Sequence, residues 1–177
     1  MMVLGLDPGK PTSYARFNTL EPHRMELGEL TLVGSGRLIR PCPMHLSEIV
    51  EGVDQAVVEE VGARPEQGVS SVFTFGLCLG TILGAIGSKG IPIEPVPPTV
   101  WKKSCRLSGK PRDEAKKLAR AYVRELWPEN EVELRLVKSH GMAEAALMVR
   151  WYFLSGPGRH VELDGSASII SMSRAAA

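Results

Sequence analysis

The segment Val3-Leu-Gly-Leu-Asp-Pro-Gly9 constrains this chain more than any other. Residues 3–6 are an apolar run suited to a strand buried on both faces. Pro8 and Gly9 stop that strand, because proline fixes φ and has no N–H for a sheet ladder. Asp7 is therefore predicted at or just past the last position of a central strand. A carboxylate there is costly unless something pairs with it, and the carboxyl ends of strands are where α/β folds build sites. Such an acid calls for others that could share a metal ion with it.

The rest of the chain supplies a sheet for that strand. Residues 13–17 and 24–32 read as two further strands of an antiparallel meander, with Pro22 in the turn between them. Residues 33–43, with Gly34, Gly36, Pro41 and Pro43, read as a loop, and 44–53 as a helix. The β-branched run at 56–61 predicts a buried strand. Pro65 and Gly68 precede a charge-free helix at 69–88, and a strand at 91–96 ends at Pro97 and Pro98. A short helix follows at 99–104. Pro111 suits the first position of a helix running to Leu126, with Asp113 and Glu114 favourable in its first turn and Pro128 as its stop. The last helix covers 138–154 and closes at Gly156 and Pro157. This order predicts an α/β fold, a mixed sheet with helices packed on it.

Composition excludes some classes and leaves others. The 177 residues suffice for one domain with a substantial core, and 44% hydrophobic with 23% charged is ordinary for a globular chain. A net charge of +1 hides an uneven distribution: residues 101–124 hold nine basic side chains against two acids. That local field suits a polyanion, or else a solvated helix face. Cys42, Cys78 and Cys105 are odd in number and show no zinc spacing, which fits reduced thiols in a cytoplasmic protein. No signal-peptide pattern opens the chain. The stretch 69–88 meets the length criterion for a membrane span. Its Ser, Thr and Gly content and its missing flanking belts read instead as a buried core helix, or one at a dimer interface. Gly76, Gly80 and Gly84 line one stripe of it, where another backbone can approach closely.

Three acids stand out beyond Asp7. Glu59 and Glu60 end the second apolar run, and alternation across a strand lets only one share a face with a given neighbour. They read as two solvated acids at a strand exit, or as one acid able to reach Asp7 if the strands are adjacent. His140 and Glu144 lie four apart on one helical face that continues through Leu147, Met148 and Trp151. Alone they read as a polar rim. Together with Asp7 and Glu59 they form a set of hard ligands suited to Mg²⁺ or Mn²⁺. Two such ions about 4 Å apart activate water and stabilise the leaving oxygen of a phosphodiester.

These residues resemble a known family. Leu4-Gly-Leu-Asp-Pro-Gly9 resembles the first motif of RuvC-type Holliday-junction resolvases, and Val58-Glu-Glu-Val61 the second. Pro65-Glu-Gln-Gly-Val-Ser-Ser-Val-Phe-Thr-Phe-Gly76 and Pro97-Pro-Thr-Val-Trp-Lys-Lys103 are similar to phage-encoded members. Lys138-Ser-His-Gly-Met-Ala-Glu-Ala145 resembles the last motif of the phage and plant-organelle branch. The resemblance spans about residues 3–153.

It implies an RNase H-like fold with a five-stranded mixed sheet, a nuclease domain over 1–157, and a tail at 158–177 without expected order. It implies a magnesium- or manganese-dependent endonuclease that resolves four-way junctions in DNA recombination and repair. The enzyme would be a homodimer in the bacterial or phage-infected cytoplasm, at the nucleoid. Asp7, Glu59, His140 and Glu144 would be the catalytic, metal-binding set, with Lys102, Lys103 and Lys110 as phosphate contacts. Gly62 stands near where bacterial members place an aromatic wedge, so that role would pass to Phe73 or Phe75. Glu144 stands where aspartate is frequent, and Met142 where many relatives carry arginine. Those departures leave room for a junction-binding protein with weakened catalysis, or for another RNase H-like nuclease. An actin-like kinase or ATPase shares the glycine-flanked aspartate but needs two domains.

Overall fold

In the computed structural model, which describes residues 1–62 and 66–161, the strand carrying Asp7 is the centre of the sheet. β1 (Met2–Asp7), β2 (Ser13–Asn18) and β3 (Met25–Glu29) form the antiparallel meander. A small ribbon of β4 (Leu32–Val33) and β5 (Arg40–Pro41) follows, then α1 (Pro43–Ile49), β6 (Gln55–Glu59) and α2 (Val69–Ser88). β7 (Ile93–Val96), α3 (Pro98–Ser104), α4 (Arg112–Leu126) and α5 (His140–Leu154) complete the order. The main sheet runs β3-β2-β1-β6-β7, with β1, β6 and β7 parallel.

Alternation along β1 sorts the core into two layers. Val3 packs with Ala15, Phe17, Val57 and α5 on one face. Leu4 and Leu6 pack with Ala56, Val58, Ile82 and Ile86 on the other. Gly5 is what lets α5 lie on β1, since a Cβ there would collide with the Ala145 carbonyl oxygen and come within 2.7 Å of Val149 Cγ2. α4 covers α5 in turn, and the fully buried Arg150 places its guanidinium 5.0 Å from the Tyr122 ring centroid. The indole of Trp127 donates to the Pro22 carbonyl and the Asn130 amide to the Met25 carbonyl, tying the end of α4 to the meander.

Several boundaries differ from the expected ones, for local reasons. The stretch 33–43 is not simply a loop: Val33 pairs with Arg40 and Leu32 with Pro41, turned by Gly34 and Gly36 at positive φ. α4 begins one residue late, because Pro111 is its cap in extended geometry rather than its first turn. Residues 137–139 form a tight 3-10 turn that delivers His140 to the start of α5.

The largest difference concerns α2. Its limits match the expectation, but of its 20 residues only Cys78, Ile82 and Ile86 are buried, so it is not a core helix within one chain. Those three lie four apart on one stripe. Gly76, Gly80 and Gly84 sit two residues out of phase, roughly 200° around the axis, and a Cβ on any of them would meet open space. By length and composition α2 could also cross a membrane. At the other end of the chain, the tail splits. Pro157–His160 forms a short turn against Tyr152, while residues 162–177 lie outside the described residues.

Candidate active site

Strand parity builds the first half of the site. β1 and β6 run parallel with Gly5 beside Val57 and Leu6 beside Val58, so the register carries Asp7 alongside Glu59. Both acids then point to the face that α5 covers, as Val3, Gly5 and Val57 do. Glu59 is buried, whereas Glu60 falls on the opposite parity and is exposed. Glu59 is therefore the glutamate that shares a face with Asp7.

α5 brings the second half. Its Gly141 sits on the Asp7 carboxylate, where a Cβ would stand 3.1 Å from Asp7 Oδ2 and 2.5 Å from Ser13 Oγ. One turn further along the same helix, Glu144 faces the cluster, 3.6 Å from the ammonium of Lys102. His140 is half-buried, with Nδ1 3.3 Å from the Val137 carbonyl oxygen. A carbonyl only accepts, so Nδ1 carries the proton in that contact and the neutral ring keeps its lone pair on Nε2. Asp7 Oδ1 accepts the Gly9 N–H at 3.0 Å within the Pro8–Gly9 turn.

Trp101 was not anticipated as a site residue. It is fully buried on α3 and its indole Nε1–H donates to Glu59 Oε1 at 3.0 Å. Lys102 lies next in sequence, 5.0 Å from the centroid of the Trp101 ring. Two proline residues before α3, Pro97 as cap and Pro98 as its first residue, start the helix where these two side chains reach the acids.

The electrostatics follow from this crowding. Asp7 is enclosed by protein, although part of its surface still meets solvent. Its pKa is pushed from 3.8 up to about 8, first by burial, then by the negative charges of Glu59 and Glu144. The Gly9 N–H and the Lys102 charge act in the opposite direction. Three carboxylates offer only oxygen donors, which suits a hard divalent cation. The repulsion that lifts Asp7 is the charge such a cation would neutralise. Among the described residues, no three His, Cys, Asp or Glu side chains already stand as a ready-made ligand cluster. Lys102 stands among the acids instead.

The remaining expected residues are spread more widely. Lys103 is exposed on α3, and Lys110 pairs with Glu114 at 3.1 Å. Phe73 is 53% exposed on the open side of α2, while Phe75 is half-buried beside the Pro8–Lys10 turn.

No family model and no curated protein matches the chain. Solved structures do, among them two of RuvC. One is Thermus thermophilus RuvC in complex with a Holliday junction substrate, at 18% identity and a TM-score of 0.59, over 86% of this chain and 94% of that one. The other is Thermus thermophilus RuvC, at 18% identity and a TM-score of 0.51, over 88% and 97%. The chain thus shares with RuvC the five-stranded mixed sheet flanked by helices, the RNase H-like fold expected from its motifs.

Proposed function

We propose that this protein is a metal-dependent endonuclease that resolves four-way DNA junctions by paired phosphodiester hydrolysis, in the cytoplasm of a bacterial or phage-infected cell. The observation that carries the reading is that the charges of Glu59 and Glu144 both bear on the buried carboxylate of Asp7, on a fold shared with a protein solved on a Holliday junction.

Asp7, Glu59 and Glu144, with His140 at the start of the helix that carries Glu144, would hold Mg²⁺ or Mn²⁺, two ions per site, which when bound supply Lewis acidity at the phosphate and a more acidic water. The chain's own groups do the rest. The Gly9 N–H fixes one oxygen of Asp7, and the Trp101 indole fixes one of Glu59. Lys102, half-exposed beside Glu144, offers a cation to a phosphate oxygen entering the site. His140 Nε2 can hold a water or a proton at the rim. In-line attack would leave a 5′-phosphate and a 3′-hydroxyl. Lys103 and the 101–124 segment would add phosphate contacts that position DNA without reading its sequence.

Paired cuts require two copies. The open side of α2, with Val69, Phe73 and Leu83 exposed and its glycine stripe uncovered, suits a twofold contact between them.

The test is digestion of a mobile four-way junction with Mg²⁺ or Mn²⁺, product ends mapped, beside Asp7→Asn. Symmetric nicks by the wild type and a loss of roughly a thousandfold or more in the variant, about 4 kcal/mol, are expected. Cutting by Asp7→Asn at the wild-type rate overturns the assignment. The Lys102–Glu144 ion pair favours a second reading, a junction-binding protein in which the lysine permanently neutralises the acids. Intact binding with no cleavage under either metal selects that reading.

A further inference from the structure

Ser13 opens β2 directly opposite Asp7, so the two side chains are neighbours on one face of the sheet. Ala15 and Phe17 follow on that face and pack under α5. Ser13 is 1% exposed, nearly as closed off as they are, yet it carries a hydroxyl. Buried hydroxyls are normally hydrogen-bonded, because an unmet donor has lost its water for nothing. The neighbouring Thr12 follows that rule, donating to the Gly9 carbonyl at 3.1 Å. Among the described residues, the Ser13 hydroxyl makes no hydrogen bond. Gly141 shows where it is aimed. The point where a Cβ would stand on Gly141 lies 2.5 Å from Ser13 Oγ and 3.1 Å from Asp7 Oδ2. The hydroxyl and this carboxylate oxygen thus border one gap, open because residue 141 has no side chain. The other oxygen, Oδ1, is already held by the Gly9 N–H.

We propose that Ser13 is a positioning residue for Asp7: when Asp7 holds a divalent cation, the Ser13 hydroxyl donates to Oδ2 across the gap at Gly141. The inference rests on the metal-dependent nuclease reading, and deepens it by naming what orients the central acid. A hydroxyl hydrogen rotates to suit its acceptor, and a hydrogen bond to an ionised oxygen is roughly twice as strong as one between neutral groups. With Gly9 on one oxygen and Ser13 on the other, the plane of the carboxylate is fixed and its remaining lone pairs are left for the cation. Losing an outer hydrogen bond of this kind typically costs about 10–100-fold in metal affinity or activity. The donor is unmet before the cation arrives, so its contribution falls on binding the cation and little on folding. Ser13 is closed off beneath α5, so the strand being cut does not touch it.

The experiment compares wild type with Ser13→Ala, which removes the donor, and with Ser13→Cys, which keeps the shape but donates only weakly. Ser88→Ala, exposed at the far end of α2, is the distant control. Four readouts are taken on the full chain: Mn²⁺ binding by titration calorimetry, urea unfolding in EDTA, junction binding by anisotropy in EDTA, and kcat and KM at saturating Mn²⁺. Both Ser13 variants are expected to bind Mn²⁺ about tenfold more weakly and to cut with a kcat about tenfold lower. KM, junction affinity and the urea midpoint stay with those of the control. A merely structural hydroxyl gives the reverse, a lower urea midpoint with Mn²⁺ affinity intact, and that result overturns the proposal.

If wild type cuts junctions and Ser13→Ala keeps both Mn²⁺ affinity and kcat, the role of Ser13 fails and the nuclease reading stands. If wild type binds Mn²⁺ but cuts no junction, the nuclease reading fails, and calorimetry decides Ser13: weaker binding by both variants supports the role, and unchanged binding overturns it. Weaker binding by Ser13→Ala alone assigns the effect to volume rather than to the donor, and overturns it too. No Mn²⁺ binding by wild type overturns the role of Ser13 together with the metal site.

Discussion

α5 and α2 are both apolar helices, packed on opposite faces of one sheet, and they are treated very differently. α5 buries 11 of its 15 residues, including an arginine, whereas α2 buries three of 20. The difference lies in where the small residues point. Ala143, Ala145 and Ala146 lie at zero exposure inside the α5 layer, and the glycine on the sheet side is Gly5, under the helix. On α2 the glycines face away from the sheet. Apolar composition says that a helix needs cover. The placement of its small residues says from which side the cover comes. The consequence for chemistry is direct, because the acids sit on the α5 face, where Gly5 and Gly141 leave no room for a side chain between helix and sheet.

The largest expected effect tests that tightness. Gly5→Ala drives a methyl into the α5 backbone at Ala145, which cannot yield as a side-chain end would. Denaturant unfolding should show a loss of more than about 3 kcal/mol, the upper range for overpacking. A loss under about 1 kcal/mol would mean that α5 can slide, and the contrast between the two faces would disappear.

The next effect concerns the charge held on that face. In the folded chain Asp7 keeps its proton up to about pH 8, while the unfolded chain releases it near 3.8. Between these values the folded state binds the extra proton. The stability this group contributes is complete below about pH 4 and is lost as pH rises towards 8. Its slope is at most about 1.4 kcal/mol per pH unit. In EDTA, wild type should lose about 2–4 kcal/mol relative to Asp7→Asn between pH 5 and pH 8. Mg²⁺ or Mn²⁺ should reverse the trend by stabilising the ionised acid. Parallel stability curves for the two proteins would refute the crowding of the acids.

Much of this was readable before folding, and the remainder was hidden for identifiable reasons. The turn at Pro8–Gly9 announced Asp7 as a strand-end acid, and helical spacing put His140 and Glu144 on one face. Glu59 and Glu60 could not be separated, because the choice depends on the register between β1 and β6, which no single strand encodes. The length of α2 was legible from its flanking breakers and lack of charge. Its exposure was not, since an uncharged run looks the same whether its own sheet or another surface covers it. Nothing in the sequence singles out Trp101, because its contribution is one N–H directed at a residue 42 positions away. Lys102 was read as a phosphate contact, and its pairing with Glu144 required α3 and α5 to be placed together.

Trp101→Phe sharpens the comparison at smaller scale. It removes the hydrogen bond to Glu59 and trims a fully buried indole to a smaller ring. Stability should fall by about 2–4 kcal/mol, the lost hydrogen bond to a charged partner together with the small cavity left behind. Cleavage should drop about tenfold in kcat with KM little changed, because the indole positions an acid and does not touch DNA. A purely structural role predicts the stability loss with kcat intact. Steady-state kinetics on the junction, run beside urea unfolding, distinguishes the two.

The smallest effect falls on the loose side, and its sign depends on what covers α2. In an isolated chain Gly80→Ala adds a methyl where nothing stands within 4 Å and removes a glycine from a helix interior. That alone should stabilise by about 0.5–1 kcal/mol. In a dimer packed on the stripe of Gly76, Gly80 and Gly84, the same methyl separates two backbones that need close approach. Both results are expected together: higher stability of the dilute monomer in urea, and several-fold weaker self-association in a sedimentation dilution series. Dissociation unchanged by Gly80→Ala would move the twofold contact off the glycine stripe, and α2 would then need a different cover. That cover would have to seat Val69, Phe73 and Leu83, because these are the large side chains the sheet leaves exposed on this helix.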